Sequence, residues 1–315
     1  MAGINLAGTN ESLDVSLNTM ITEFRLLDDE EAVCRKVSTH YDLKEGTGNS
    51  KNVLNYGRLS AYRIDQGVDI TQAQSLSDAQ TTYTPTEIAL KVILSNLMLR
   101  RIADRGLFKR TGEMMRRAYN LKEDADGTAQ FTSWTPIVGS AGTVIGLGHV
   151  TAARARVRIG NDRANPEPFP GKKHAVLHPL HCHALAMRAI PLTDVPTGTN
   201  VYAMTSAGAT VGPGRGAKSD EILREGPKAL MRIAGVDIWE DANIAVDASD
   251  DASGALFSQE GFVFTNELEP DLLPPEKDNS LRGQELVIVG SSIWGLYRPA
   301  NSGVECLFDA TLPTA

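Results

Sequence analysis

The stretch HAVLHPLHCHALAM, residues 174–187, holds four of the six histidines and one of the three cysteines in a chain of 315 residues. Imidazole and thiolate are ligands that zinc prefers, and a zinc site needs about four of them converging tetrahedrally. A metal-binding enzyme would therefore be built from His178, His181 and Cys182. The spacing does not deliver that geometry. His178 and His181 are i, i+3 and share a helix face, whereas His183, at i+2 from His181, points elsewhere. No His-Glu-x-x-His pattern and no second Cys-x-x-Cys pair completes a ligand set. The local pattern instead predicts a strand with Ala175, Val176 and Leu177 buried. Pro179 then falls in the first turn of a helix, where its missing N–H does no harm. Leu180, Ala184, Met187 and Ala189 continue that helix, and the histidines decorate the strand-to-helix corner.

A second chemical-looking stretch, GATVGPGRGAKSDE at 208–221, approaches the phosphate-loop pattern G-x-x-x-x-G-K-[ST]. Ala217 sits between Gly216 and Lys218 and breaks the required Gly-Lys step, and the residues before it are too glycine-rich for a buried strand. It reads as a surface glycine loop. No Gly-x-Ser-x-Gly elbow occurs, and the acidic runs at 28–31 and 247–251 read as solvated faces or loops. No catalytic residue, cofactor or metal is expected.

Composition narrows the class further. A hydrophobic content of 42% and a charged content of 22% describe a globular chain. A formal net charge of −8 gives no global attraction for nucleic acid. Cys34, Cys182 and Cys306 are few, odd in number and far apart, which suits a reducing compartment and not a disulfide framework. The opening residues lack a basic segment followed by an apolar core, so no signal peptide is expected. No apolar run approaches the ~18 residues of a membrane helix. The expected setting is a cytosol, with no membrane contact.

The elements that would position these residues follow along the chain. Residues 1–18 read as an extended arm. Met20, Phe24, Leu27 and Ala32 give a short amphipathic helix, with Val37 entering a strand. Residues 45–85 are polar and β-prone, with Val53, Leu54, Tyr56, Leu59, Tyr62 and Ile64 scattered and no stripe wide enough for a core. This predicts a long two-stranded ribbon, and such a ribbon alone is marginal in water. It would gain burial by lying on a neighbour, so these six residues are candidate subunit contacts. Ile88, Leu90, Val92 and Leu94 alternate with polar residues and predict a strand; a helix over 97–106 follows. Along a longer helix, Leu107, Met114, Ala118, Leu121 and Ala125 recur on one face as the buried stripe. Arg110, Arg116, Arg117 and Lys122 cover much of the rest, and the first three are candidate electrostatic contacts to a partner subunit or to an enclosed polyanion. Further on come a short helix within 149–160, a glycine- and threonine-rich section at 191–227, a strand at 236–239, and strands at 286–289, 293–297 and 304–308. Pro299 to Gly303 would turn the last pair as a hairpin.

This order of parts resembles the major capsid protein of tailed bacteriophages, the HK-ninety-seven type of shell fold. The ribbon GRLSAYRIDQGVDI with LSDAQTTYTPTEIALKVILSNLMLRR is similar to that family's extended loop and return strand, leading to its long spine helix. KKHAVLHPLHCHAL resembles its strand–Pro–helix step, and IAGVDIWEDANI with the segment to GVECL resembles its closing passage. The likeness spans about 20–310 and rests on order more than on any one motif. It implies an α+β chain: an N-terminal arm (1–36), an extended loop with flanking strand (37–85), a peripheral domain with the spine helix (86–175), an axial domain (176–284) and a C-terminal return to the peripheral domain (285–315). The family has no catalytic site to carry over.

The resemblance also implies the function. The chain would assemble with itself into pentamers and hexamers, and these into an icosahedral head around double-stranded DNA, without sequence-specific binding. Portal, scaffolding or decoration proteins are expected partners, and the virion the location, after assembly in the host bacterial cytoplasm. Some relatives start with a long helical scaffolding segment that a protease removes; this sequence enters its arm almost at once, which implies a separate scaffold or none. The alternatives are an encapsulin-like cage around an enzyme cargo, a tail-tube protein, and the metal-binding enzyme on His178, His181 and Cys182.

Overall fold

The computed structural model describes residues 32–44, 46, 48–56, 59, 61, 63, 75, 78–95, 107–160, 167–189, 231–273, 276–278 and 283–313. The chain begins here with a short helix, α1 (Val33–Val37), and then β1 (Thr39–Asp42), β2 (Lys51–Tyr56), β3 (Asp78–Tyr83) and β4 (Thr86–Ser95). The long helix α2 (Leu107–Ala129) leads to β5 (Ile137–Gly139), α3 (Leu147–Ile159), β6 (Lys173–Leu177) and α4 (Pro179–Ala189). The closing half is β-rich: β7 (Met231–Ile233), β8 (Val236–Glu240), β9 (Asp251–Ser258), β10 (Phe262–Leu272), β11 (Glu276–Asp278), β12 (Gly283–Leu296) and β13 (Gly303–Asp309). The expected arm at 1–31, the helix at 97–106 and the glycine loop at 208–218 lie outside the described residues.

The chain divides into two compact units. Unit 1 takes residues 1–39, 103–262 and 299–315; unit 2 takes 40–102 and 263–298. These bounds differ from the expected partition for a visible reason. In unit 1 a six-stranded sheet of order β5-β13-β9-β6-β8-β7 joins strands from both expected domains. β13, expected to return to a peripheral domain, pairs antiparallel with β9 from Gly303↔Phe257 to Asp309↔Asp251, and parallel with β5. The expected hairpin of the last two strands does not form. Pro299–Ser302 is a helical turn, and β13 leaves β12 for these distant partners because Val304, Cys306 and Phe308 find an apolar sheet there.

The core of unit 1 packs α3 and α4 on that sheet. Val150, Ala153 and Val157 of α3 meet Leu177, Val236, Ile238, Leu256, Val304 and Phe308, with Cys182 and Leu185 of α4 beside them. The spacing 150, 153, 157 puts one α3 stripe on the sheet. A second apolar cluster stacks Trp134 on Phe257 at 5.9 Å and 7°, with Phe131 and Phe262 adjoining. Each of these fully buried aromatics contributes roughly 2–3 kcal/mol. The approach of β13 is so close that a methyl on Gly303 would fall within the Trp134 ring.

In unit 2, β1, β10, β12 and β11 form a sheet, and β4 pairs with β12 over ten residues, from Thr86↔Ser292 to Ser95↔Gly283. The alternation expected of β4 is present: Leu94 is buried, Ile88, Leu90 and Val92 are half-buried, and Glu87, Ala89 and Lys91 are exposed. Phe264 packs on Trp294 at 4.6 Å and His40 meets the Phe264 edge at 5.3 Å.

Candidate assembly surfaces

The histidine corner forms as the pattern predicts, a strand ending at Leu177 and a helix opening on Pro179. Three of its four rings have a structural occupation, and His183 is exposed. His174 Nδ1 accepts the indole N–H of Trp239 at 3.2 Å. His178 Nδ1 accepts the Leu180 N–H at 3.3 Å, and its carbonyl starts the helix by accepting from His181 N–H at 2.9 Å. His181 is fully buried, its Nε2 at 3.1 Å from the Phe308 carbonyl and its ring edge-on to the Phe308 ring. Burial lowers the basicity of all three rings, which favours neutral imidazole. Burial pushes the Cys182 thiol up to about 12, so it is no thiolate. His178, His181 and Cys182 do not converge on a common point.

One group among the described residues does bring three ligand-type atoms within 4.8 Å: Cys34, Asp124 and Asp241, all buried. The sequence reading missed it, because its members lie on α1, α2 and the turn after β8. Asp124 accepts the Cys34 N–H at 3.1 Å and the Asn243 amide at 2.9 Å. Asp241 accepts the Asn243 N–H at 2.8 Å and faces Cys34 Sγ at 3.9 Å. Burial and the neighbouring Asp124 raise Asp241 far above the usual carboxylate range. These hydrogen bonds tie α1 to α2 and to the turn after β8.

Helix α2, 23 residues and roughly 35 Å long, turns the opposite way from expectation. Met114 is 70% exposed and Leu121 57%, and Ala118 is exposed with them. The buried stripe is Gly112, Met115, Arg116, Tyr119, Asn120, Glu123, Asp124, Gly127 and Thr128. Its two carboxylates have partners inside: Asp124 has Cys34 and Asn243, and Glu123 lies 4.0 Å from Arg35. Arg110 and Arg117 are exposed, but Arg116 is only 2% exposed, with its guanidinium 5.9 Å from the Tyr119 ring centre. Arg116 thus leaves the expected basic contact face.

The ribbon is present as an antiparallel pair, β2 against β3, in register from Lys51↔Tyr83 to Tyr56↔Asp78. Val53 is half-buried, while Leu54 and Tyr56, two apart on one face, are 46% and 53% exposed. Leu59 is exposed too. Tyr62 and Ile64 lie outside the described residues. The base of the ribbon is fixed inside unit 2. Tyr297 donates to the Leu54 carbonyl at 3.3 Å, Arg298 to the Tyr56 carbonyl, and buried Tyr83 to the Leu296 carbonyl at 3.1 Å. Tyr83 lies so close over β12 that only a glycine at 295 leaves it room.

No family model and no curated protein matches the chain. Solved structures do. The capsid of Ralstonia phage GP4 superposes with a TM-score of 0.61 at 12% identity, over 89% of this chain and 88% of that one. The acid-stable capsid of Helicobacter pylori bacteriophage KHP30 gives 0.60 at 12%, over 89% and 91%. The capsid of a native GTA particle gives 0.57 at 13%, over 89% and 90%. The chain has the phage-capsid fold. Identity this low leaves the shared fold resting on the order and pairing of elements, as the sequence resemblance did. The exposed apolar residues among those described include Leu54 and Tyr56 on the ribbon, Leu59 beyond it, and the Met114–Leu121 stripe of α2, besides others such as Ile137, Leu268 and Leu312.

Proposed function

We propose that this chain is a shell-forming structural protein, whose copies join as pentamers and hexamers into the icosahedral head that encloses the double-stranded DNA of a tailed bacteriophage. The observation that carries the reading is the capsid fold spanning nearly nine-tenths of the chain. The exposed apolar residues supply the means. A ribbon bearing Leu54 and Tyr56, and a helix bearing Met114 and Leu121, each gain burial only against another surface. Each contact is weak, but every subunit makes several at once, and closure turns weak contacts into a stable assembly. Heterologous contacts of one chain close into rings where the rotation permits.

In this reading residues 45–85 are the extended loop, α2 is the spine helix, and Val53, Leu54, Tyr56, Leu59, Tyr62, Ile64, Arg110 and Arg117 are subunit contacts. The virion is the site of action and the host bacterial cytoplasm the place of assembly, with portal, scaffolding or decoration proteins as partners. Sedimentation velocity tests the surfaces directly. Wild type should sediment as multi-subunit species, and Leu54→Glu with Tyr56→Glu should shift it to monomer while leaving the melting midpoint of the subunit unchanged. A double variant that assembles like wild type would remove the ribbon from the account.

A further inference from the structure

Unit 1 contains a cleft of about 530 Å3 between α3, the segment entering β6, and the β7–β8 hairpin. Among the described residues its lining concentrates charge of one sign on a chain that is acidic as a whole: Arg154, Arg158, Lys172, Lys173 and Arg232 against the carboxylate of Asp237, with Glu260 beside Gly171 at the edge. Asp237 is engaged by Arg232 Nε at 3.2 Å. Lys173 is engaged by the protein itself, its ammonium donating to the carbonyls of Phe169, Pro170 and Gly171 at 2.7–3.1 Å. That leaves Arg154, Arg158 and Lys172 facing the cleft. Arg154 and Arg158 are four apart on α3 and share a face. The Arg154 Nη2 lies over the hairpin turn, 3.8 Å from where a Cβ would stand on Gly235. Burial lowers the basicity of Lys173, the nearby Glu260 opposes that, and Arg154 and Arg158 add to the lowering. Gathering this many like charges around two carboxylates costs free energy that a bound anion would offset.

We propose that this cleft is a binding site for nucleic-acid phosphates, held by Arg154, Arg158 and Lys172. Two guanidinium forks and one ammonium match the oxygens of a phosphodiester, and contacts to phosphate carry no sequence information. The choice of nucleic acid rests on the shell reading, in which packed DNA is the polyanion at hand. The competing occupant, an acidic surface of a second copy, has weaker support. In the described acidic loop, Asp247 already accepts the N–H groups of Ser249 and Asp251, and Asp251 that of Gly142. Three phosphate contacts make a weak, salt-sensitive hold, which suits a container that must fill and empty.

The test is fluorescence anisotropy with a labelled duplex of about 20 base pairs and the full chain at concentrations below assembly, across roughly 50–300 mM salt. Three contacts predict a log–log salt slope of about −3. Arg154→Gln/Arg158→Gln/Lys172→Gln should weaken binding at least about tenfold at the lowest salt and flatten the slope by two to three units. Lys36→Gln/Lys91→Gln/Arg156→Gln removes the same charge from exposed positions outside the cleft and should cost less than about threefold. Equal losses in the two variants, or no binding by wild type, overturn the proposal. So does a cleft variant that binds DNA normally but no longer assembles, which would assign the cleft to an acidic surface of a second copy. Light scattering of wild type reads the shell separately. Particles without cleft-dependent DNA binding sink the cleft alone, and cleft-dependent binding without particles sinks the shell alone.

Discussion

Replacing Asp241 with asparagine asks whether the carboxyl pair beneath α2 holds a shared proton. Asp241 Oδ1 accepts the Asn243 N–H at 2.8 Å, and Oδ2 faces Cys34 and the Asp124 carboxylate. Burial first, and Asp124 second, raise Asp241 from an ordinary 3.8 to about 8. The folded chain then keeps this proton at neutral pH and the unfolded chain loses it. Because the folded value lies above the unfolded one, the stabilisation is complete below the unfolded value, declines as pH rises from there, and is gone once pH passes the folded value. Each pH unit above the unfolded value costs about 1.4 kcal/mol, so the loss reaches at most about 4 kcal/mol at pH 7. An asparagine amide supplies a permanent N–H to Asp124 in place of the proton, and its oxygen still serves Asn243. Asp241→Asn should match wild type near pH 4 and exceed it by roughly 2–4 kcal/mol at pH 7. Urea unfolding followed by tryptophan fluorescence at three or four pH values measures the difference. A stability difference that stays flat with pH, or a variant weaker than wild type at pH 7, would refute the shared proton.

Other outcomes follow from the same packing. Arg116→Glu should destabilise the subunit by about 3–5 kcal/mol, since it strands a charge in the interior, whereas Arg117→Glu on the exposed side should change stability by less than about 0.5 kcal/mol; urea midpoints of the two variants decide. Gly303→Ala drives a methyl into Trp134 and should cost about 1–3 kcal/mol, seen as an earlier unfolding midpoint; unaltered stability would mean β13 does not press on that ring. Met114→Glu with Leu121→Glu should leave the subunit's melting intact and lower the assembled fraction measured by light scattering, because both side chains point away from their own unit.

Where hydrophobic patterning is local, the sequence was readable. β6 and α4 followed from a short apolar run ended by Pro179, β4 from strict alternation, and the ribbon from β-prone residues without a core stripe. The face of α2 was misjudged because hydropathy ranks Met114 and Leu121 above Asn120, Glu123 and Asp124, and hydropathy is blind to partners. Those partners are remote: Cys34 lies 90 residues from Asp124 and 207 from Asp241. The final hairpin failed for a related reason. A turn signal at Pro299 states where the chain bends and not which strand it will join, and β13 joins β9. The basic cleft was equally hidden, since Arg154 and Lys172 belong to segments that only the sheet brings together.

The central claim is self-assembly, and negative-stain electron microscopy of the purified, untagged chain, paired with light scattering, tests it most directly. The account predicts closed particles, or rings of five and six subunits. A chain that stays monomeric at high concentration, with salt, crowding agents and candidate scaffolding proteins supplied, would contradict it.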